Sequence, residues 1–174
     1  MADTQTVFSL NVPVPGAIER LAADRHPELY GFDAVREAHT LVVKRLGSPG
    51  PGEFATVEKR ARRAIAGTPP FEARVASIDA FDRPASGTGP VVYLAVESPG
   101  LEALHARLAD AFEPVPGVEG PAYVPHVTLA RGGDPEAVAR LRDREFDPVT
   151  WTVDALEFYD ARHGERTGVV SLPA

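Results

Sequence analysis

The stretch Val124-Pro-His-Val-Thr-Leu-Ala-Arg131 has the composition of a short strand. Side chains of a strand point in turn to opposite faces, so His126 and Thr128 share one face while Val127 and Leu129 share the other. The second face suits a core. The first does not, because an imidazole and a hydroxyl on an otherwise apolar strand are costly to bury unless they are satisfied or line a cavity. Strict alternation sets Arg131 on the face opposite His126. Tyr123, just before the stretch, fits a buried structural role better than a base-stacking one.

Working outward, a second β-rich run that opens on a histidine, His39-Thr-Leu-Val-Val-Lys-Arg-Leu46, ends at Gly47, and its histidine lies 87 residues before His126. Lys44 and Arg45 face opposite ways, so at most one points inward, and both suit solvated strand-end charges. The surroundings of the two runs also correspond. Phe8-Ser-Leu-Asn-Val-Pro-Val-Pro-Gly16 aligns with Val92-Tyr-Leu-Ala-Val-Glu-Ser-Pro-Gly100, matching Leu10 with Leu94, Val12 with Val96, Pro15 with Pro99 and Gly16 with Gly100. In each copy a strand leads through Pro-Gly into a helix, and the next strand carries the histidine. Two such units predict a pseudo-twofold arrangement with His39 and His126 across one cleft.

Periodicity fills in the rest. Strands are expected at 7–12, 39–46, 71–81, 91–96, 124–131, 150–159 and 167–172, and helices at 17–25, 53–66, 101–112 and 135–144. Asp82 to Pro90, rich in Gly, Pro and Ser, reads as a connector. The chain is thus expected to be a single bilobal domain over 1–174, with repeat units 6–81 and 90–172 and connector 82–90.

Composition narrows the function. The 174 residues contain no cysteine, which excludes a disulfide framework and every cysteine-based zinc site. The net charge of −7, from 25 acidic and 18 basic residues, argues against duplex DNA as a partner, which usually demands a basic face. A small anion needs only local donors and stays compatible. The sequence has neither an apolar run long enough to span a membrane nor a basic, apolar start at Met1–Thr6, so a cytoplasmic monomer with no membrane partner is expected. His26, His105 and His163 read as exposed. No His/Asp/Glu set has metal spacing, and there is no phosphate-binding Gly-x-x-x-x-Gly-Lys loop.

The Pro-His-Val-Thr-Leu-Ala-Arg string, the earlier His-Thr-Leu-Val segment and the bilobal order of elements resemble the 2H phosphoesterase superfamily, nearest its 2′-5′ RNA ligase and RNA 2′,3′-cyclic phosphodiesterase branch. The resemblance implies an α+β fold of two mainly antiparallel sheets lining a central cleft, with helices outside and a His-x-Thr motif from each lobe. It implies metal-independent, cofactor-free hydrolysis of a 2′,3′-cyclic phosphate on a nucleotide or RNA 3′ end to a 2′-phosphate, with 2′-5′ ligation as the reverse. One histidine would be the general base and the other the general acid, with His39 and His126 in those roles. Phosphate contacts would come from Thr128, Arg131 and Thr40. The first motif departs from the family pattern, because Leu41 stands where a Thr or Ser is expected and the run to Leu46-Gly47 is one residue longer. A β-bulge near Thr40 would absorb that residue and turn Thr40 to the cleft; otherwise Thr40 points away. The rival reading is an inactive domain of the same fold that binds nucleotides or RNA ends.

Overall fold

The computed structural model describes residues 7–174. The start Met1–Thr6, including residue 6 where the first repeat unit opens, lies outside the described residues. β1 (Phe8–Val12) is buried along its whole length, since it lies inside a sheet and is covered on both faces. Its two polar residues meet each other's needs in part, with Ser9 Oγ donating to Asn11 Oδ1 at 2.8 Å. α1 (Gly16–Arg25) follows Pro15, and Ile18, Leu21 and Ala22 form its buried stripe.

Next come β2 (Ala34–Val35), β3 (Leu41–Arg45), α2 (Phe54–Ile65) and β4 (Phe71–Phe81). After the connector the chain forms β5 (Val91–Glu97), α3 (Pro99–Ala111), β6 (His126–Arg131), α4 (Pro135–Arg142), β7 (Val149–Val153), β8 (Ala155–Asp160) and β9 (Glu165–Ser171). The starts of two helices follow from capping chemistry. Ser98 Oγ accepts from the Leu101 amide and Asp134 Oδ1 from the Ala137 amide, at 3.2 and 2.8 Å, each worth about 1 kcal/mol.

Two antiparallel sheets result, in strand orders β3-β1-β8-β9 and β2-β6-β5-β4-β7. α3 packs against both β3 and β4, and also against α2. Its first turn sits so close to β4 that a Cβ on Gly100 would come 2.5 Å from that of Phe71, so the position requires glycine. The fold is the expected α+β pair of antiparallel sheets.

Three expectations need correcting. The run 150–159 is two strands in different sheets, because its apolar alternation changes phase at Asp154: Val149, Trp151 and Val153 give way to Leu156 and Phe158. The sheets also do not follow the halves of the chain. β4 joins the sheet of β5 and β6, β8 and β9 return to the sheet of β1 and β3, and the unforeseen β2 crosses to pair with β6. Lastly, strand pairing shifts the repeat by two residues, for reasons that lie in the site.

Candidate functional site

β3 and β6 carry one pattern of burial in two copies. Leu41, Val43 and Lys44 are buried while Thr40, Val42 and Arg45 are partly exposed; Val127, Leu129 and Ala130 are buried while His126, Thr128 and Arg131 are partly exposed. The cause is a β-bulge in each strand. Asn11 pairs with Val42 but Leu10 with Lys44, skipping Val43; Tyr93 pairs with Thr128 but Val92 with Ala130, skipping Leu129. An extra residue re-aims every side chain beyond it. Arg131 therefore returns to the face of His126, against strict alternation, and Arg45 returns to the face of Val42.

The same bulges set the equivalence between the lobes. Thr40 corresponds to His126, Val42 to Thr128 and Arg45 to Arg131, while His39 corresponds to Pro125. Leu10 then matches Val92 rather than Leu94, because β5 runs two residues longer before its Pro-Gly. A bulge exists, as the long first motif suggested, but it falls at Val43 and leaves His39 and Thr40 on opposite faces. His39 Nδ1 lies 3.2 and 3.3 Å from the two carboxylate oxygens of Glu19 on α1, and His39 lines neither cavity of the cleft.

The first cavity, of about 130 Å³, is lined by His126, Thr128 and Arg131 from β6, Arg45 from β3, and residues of the connector and the 113–124 loop. That volume matches roughly four waters. The His126 ring has Phe81 and Tyr93 edge-on, with centroids 5.1 and 5.3 Å away. Its Nδ1 is 2.7 Å from the Val124 carbonyl oxygen, which can only accept, so Nδ1 carries the proton. In the neutral ring Nε2 is then the free base. Burial, followed by the charges of Arg45, Arg36 and Arg131, holds the imidazole below its ordinary value of 6.5. Burial and the repulsion of Arg36 likewise lower Arg131. Arg131 is steered by the connector, donating to the Ser86 and Thr88 carbonyls at 3.0 and 3.4 Å.

The second cavity, of about 260 Å³, adjoins the first through Arg45, which lines both. Its wall is the crossing segment Arg36–Thr40, which leaves β2 in one sheet and enters β3 in the other. Arg36 is anchored by its amide, which donates to the Leu129 carbonyl at 2.8 Å beside the β6 bulge. Arg36, Thr40, Asn11 and Tyr159 face this space. Among the described residues no carboxylate lines either cavity, although the chain has 25 acidic residues.

Behind the β3 bulge lies a sealed polar cluster. Lys44, read from sequence as a solvated charge, is completely buried; Nζ donates to Glu119 Oε1 at 2.7 Å and to the Arg45 and Glu113 carbonyls. Glu119 also accepts from the Arg45 and Val115 amides at 2.8 and 2.9 Å. Burial alone would push this carboxyl up, but these donors outweigh it and hold the group below its ordinary range. His105, expected at the surface, is buried with Nδ1 donating to the Val43 carbonyl and Nε2 accepting from the Gly120 amide. Its ring stacks on Tyr123 at 3.7 Å, and the Tyr123 hydroxyl donates to the Val42 carbonyl. The bulge leaves carbonyls unpaired, and this cluster satisfies them. Tyr123 thus has the structural role its sequence position suggests.

His26 and His163 are exposed, as expected. No group of His, Asp or Glu among the described residues could hold a metal, and no described helix is long and apolar enough to cross a membrane. An open groove of about 1010 Å³ near α1 and α4 contains neither His39 nor His126, and it neutralises itself through pairs such as Arg144–Glu28 at 3.1 Å. The sequence reading missed Arg36, Tyr93 and Phe81. Tyr93 was accessible from parity, two residues from Ala95 on β5; Arg36 was not, because β2 is two residues long.

The first cavity thus brings a histidine, a threonine and the arginines Arg45 and Arg131 together where two antiparallel sheets meet. The model of the 2′-5′ RNA ligase superfamily matches residues 15–165, and the chain belongs to that family. Solved structures with the same fold include TT0787 of Thermus thermophilus, 22% identical over 87% of this chain and 86% of that one, with a TM-score of 0.61. Two others are E. coli LigT complexed with 3′-AMP, at 16% identity and TM-score 0.66, and with NADP+, at 17% and 0.68; each covers 97% of this chain and 98% of the other. No curated protein matches the sequence.

Proposed function

We propose that the cleft takes the 2′,3′-cyclic phosphate of a nucleotide or RNA 3′ end and opens it to a 2′-phosphate, with His126 as the general base. The convergence of His126, Thr128 and Arg131 with Arg45 on one cavity free of carboxylates carries this reading. His126 Nε2, neutral near pH 7, takes a proton from water as the water oxygen attacks phosphorus. The bond from phosphorus to the ribose 3′ oxygen breaks, and that oxygen takes its proton from solvent. Arg45, Arg131 and the Thr128 hydroxyl donate to the non-bridging oxygens, where charge builds. The superfamily membership and the nucleotides bound in the LigT structures support the substrate class.

A second reading, binding without turnover, is favoured by one observation: the cleft positions equivalent to His126 and Thr128 hold Thr40 and Val42, so no second imidazole faces the phosphate. His39 serves as acid only if it leaves Glu19. The test is turnover and binding of adenosine 2′,3′-cyclic phosphate by wild type, His126→Ala and His39→Ala. Loss of turnover of about 100-fold or more in His126→Ala, with His39→Ala active, is the expected result. Equal loss in both variants restores a two-histidine mechanism. Wild-type binding without turnover selects the second reading, and absence of binding overturns both.

A further inference from the structure

The only charged side chains lining the second cavity are two arginines, set among the polar Ser9, Asn11, Thr40 and Tyr159 and the apolar Ala38, Val42 and Ala161. Ser9 Oγ donates to one lone pair of Asn11 Oδ1, which leaves the Asn11 amide N–H groups to offer to a ligand. Beside it stand the Thr40 hydroxyl and the guanidiniums of Arg36 and Arg45, with no acidic residue in the lining. Arg36 makes no side-chain hydrogen bond or ion pair among those found in the described residues, and its charge reaches both His126 and Arg131. Arg45 has Glu119 behind it, with Nη1 3.6 Å from Oε2, whereas Arg36 has no such carboxylate among the described residues, so an anion in this cavity would answer the Arg36 charge. An anion in the His126 cavity lies within the field of Arg36 but is not touched by it, because Arg36 lines only the other cavity.

We propose that the Arg36 cavity is a second phosphate subsite, so that the cleft prefers a nucleotide or RNA end bearing another phosphate besides the cyclic one at His126. This rests on the cyclic-phosphate reading above. Arg45, with five N–H donors in a planar fork, lies between the two cavities and can address both phosphates. The arrangement suits a strand end, where a phosphodiester precedes the terminal ribose, better than a nucleoside cyclic phosphate that carries one anion. Arg36 is then a specificity-determining residue: it selects the longer or doubly phosphorylated ligand and has no part in bond breaking.

The test is equilibrium binding, at one fixed salt concentration, of three probes to the full chain: adenosine 2′,3′-cyclic phosphate, the same compound bearing a 5′-phosphate, and adenosine 5′-monophosphate. Wild type is expected to hold the doubly phosphorylated probe on the order of tenfold or more tighter than the plain cyclic one. In Arg36→Gln that advantage disappears while the plain cyclic probe keeps its affinity within about twofold. Arg36 is exposed, so the variant is expected to fold, and its melting temperature checks this. Equal affinities in wild type overturn the proposal, as does an equal loss for both cyclic probes in Arg36→Gln, the pattern expected if a base occupies the cavity. Arg36-dependent binding of adenosine 5′-monophosphate without binding of the plain cyclic probe leaves the subsite standing and sinks the cyclic-phosphate reading. Binding of none of the probes sinks both.

Discussion

Lys44 Nζ and Glu119 Oε1 stand 2.7 Å apart with both side chains sealed from water. The pair joins the β3 bulge to the 113–124 loop, and it thereby fixes the backbone of Arg45, whose amide donates to the other Glu119 oxygen. Replacing Lys44 by Met leaves a buried carboxylate without its main partner, a change expected to cost about 3–5 kcal/mol. The double variant Lys44→Met with Glu119→Leu removes both charges and is expected to regain most of that loss. Urea denaturation of the two variants measures the difference. A double variant no more stable than Lys44→Met would show that the loop depends on the Glu119 oxygens themselves. Because the Glu119 carboxyl is held below 4.5, its contribution is complete above that pH and is lost as pH falls through the lowered folded value.

His126 and His105 both titrate below 6.5, chiefly through burial. A histidine kept neutral by folding favours the native state fully above its unfolded pKa. That contribution declines as pH falls from about 6.5 toward the depressed value, because the unfolded chain then binds the proton first. Stability is therefore expected to fall with acidification through that window, and His105→Gln is expected to flatten the slope. A bound phosphate stabilises the imidazolium, so the His126 titration followed by NMR is expected to move up when phosphate is added. A His126 midpoint at or above 6.5 in the free protein would contradict the neutral-base assignment.

Much of the architecture was legible because local patterns are short-range. The strand-helix order and the face shared by His126 and Thr128 both follow from neighbours in sequence. The bulges at Val43 and Leu129 were not legible in position, since a bulge depends on the partner strand: Leu10 and Val92 decide which residue is skipped. That one-residue difference moved Arg131 into the cleft and His39 out of it. Burial of Lys44 was equally hidden, because its partner Glu119 lies in a loop 75 residues away.

Gly87 in the connector has φ +77°, and a Cβ there would come 2.7 Å from Arg131 Nη1. Gly87→Ala strains the left-handed backbone by about 1–2 kcal/mol and pushes the guanidinium away from the Ser86 carbonyl. Phosphate affinity is expected to fall severalfold, with a matching drop in Arg131→Gln. Titration with inorganic phosphate and a thermal melt separate the two effects. Unchanged affinity in Gly87→Ala alongside reduced affinity in Arg131→Gln would mean that the connector does not position the arginine.

Thr40 stands three residues before the skipped Val43, as His126 stands three before the skipped Leu129. Thr40 and Val42 line the second cavity, which meets the first at Arg45, so a histidine at position 40 and a threonine at position 42 would reach the cyclic phosphate from the side opposite His126 where the two cavities meet. Thr40→His with Val42→Thr then supplies the missing acid for the leaving ribose oxygen, while His39 stays with Glu19. A well-placed general acid is commonly worth about 10²–10⁴ in rate, so even imperfect placement is expected to raise hydrolysis of adenosine 2′,3′-cyclic phosphate by roughly tenfold or more. The gain should appear in kcat and vanish when His126 is also replaced by Ala. A folded double variant that binds the cyclic nucleotide with no gain in turnover would show that Thr40 does not look onto the phosphate as His126 does.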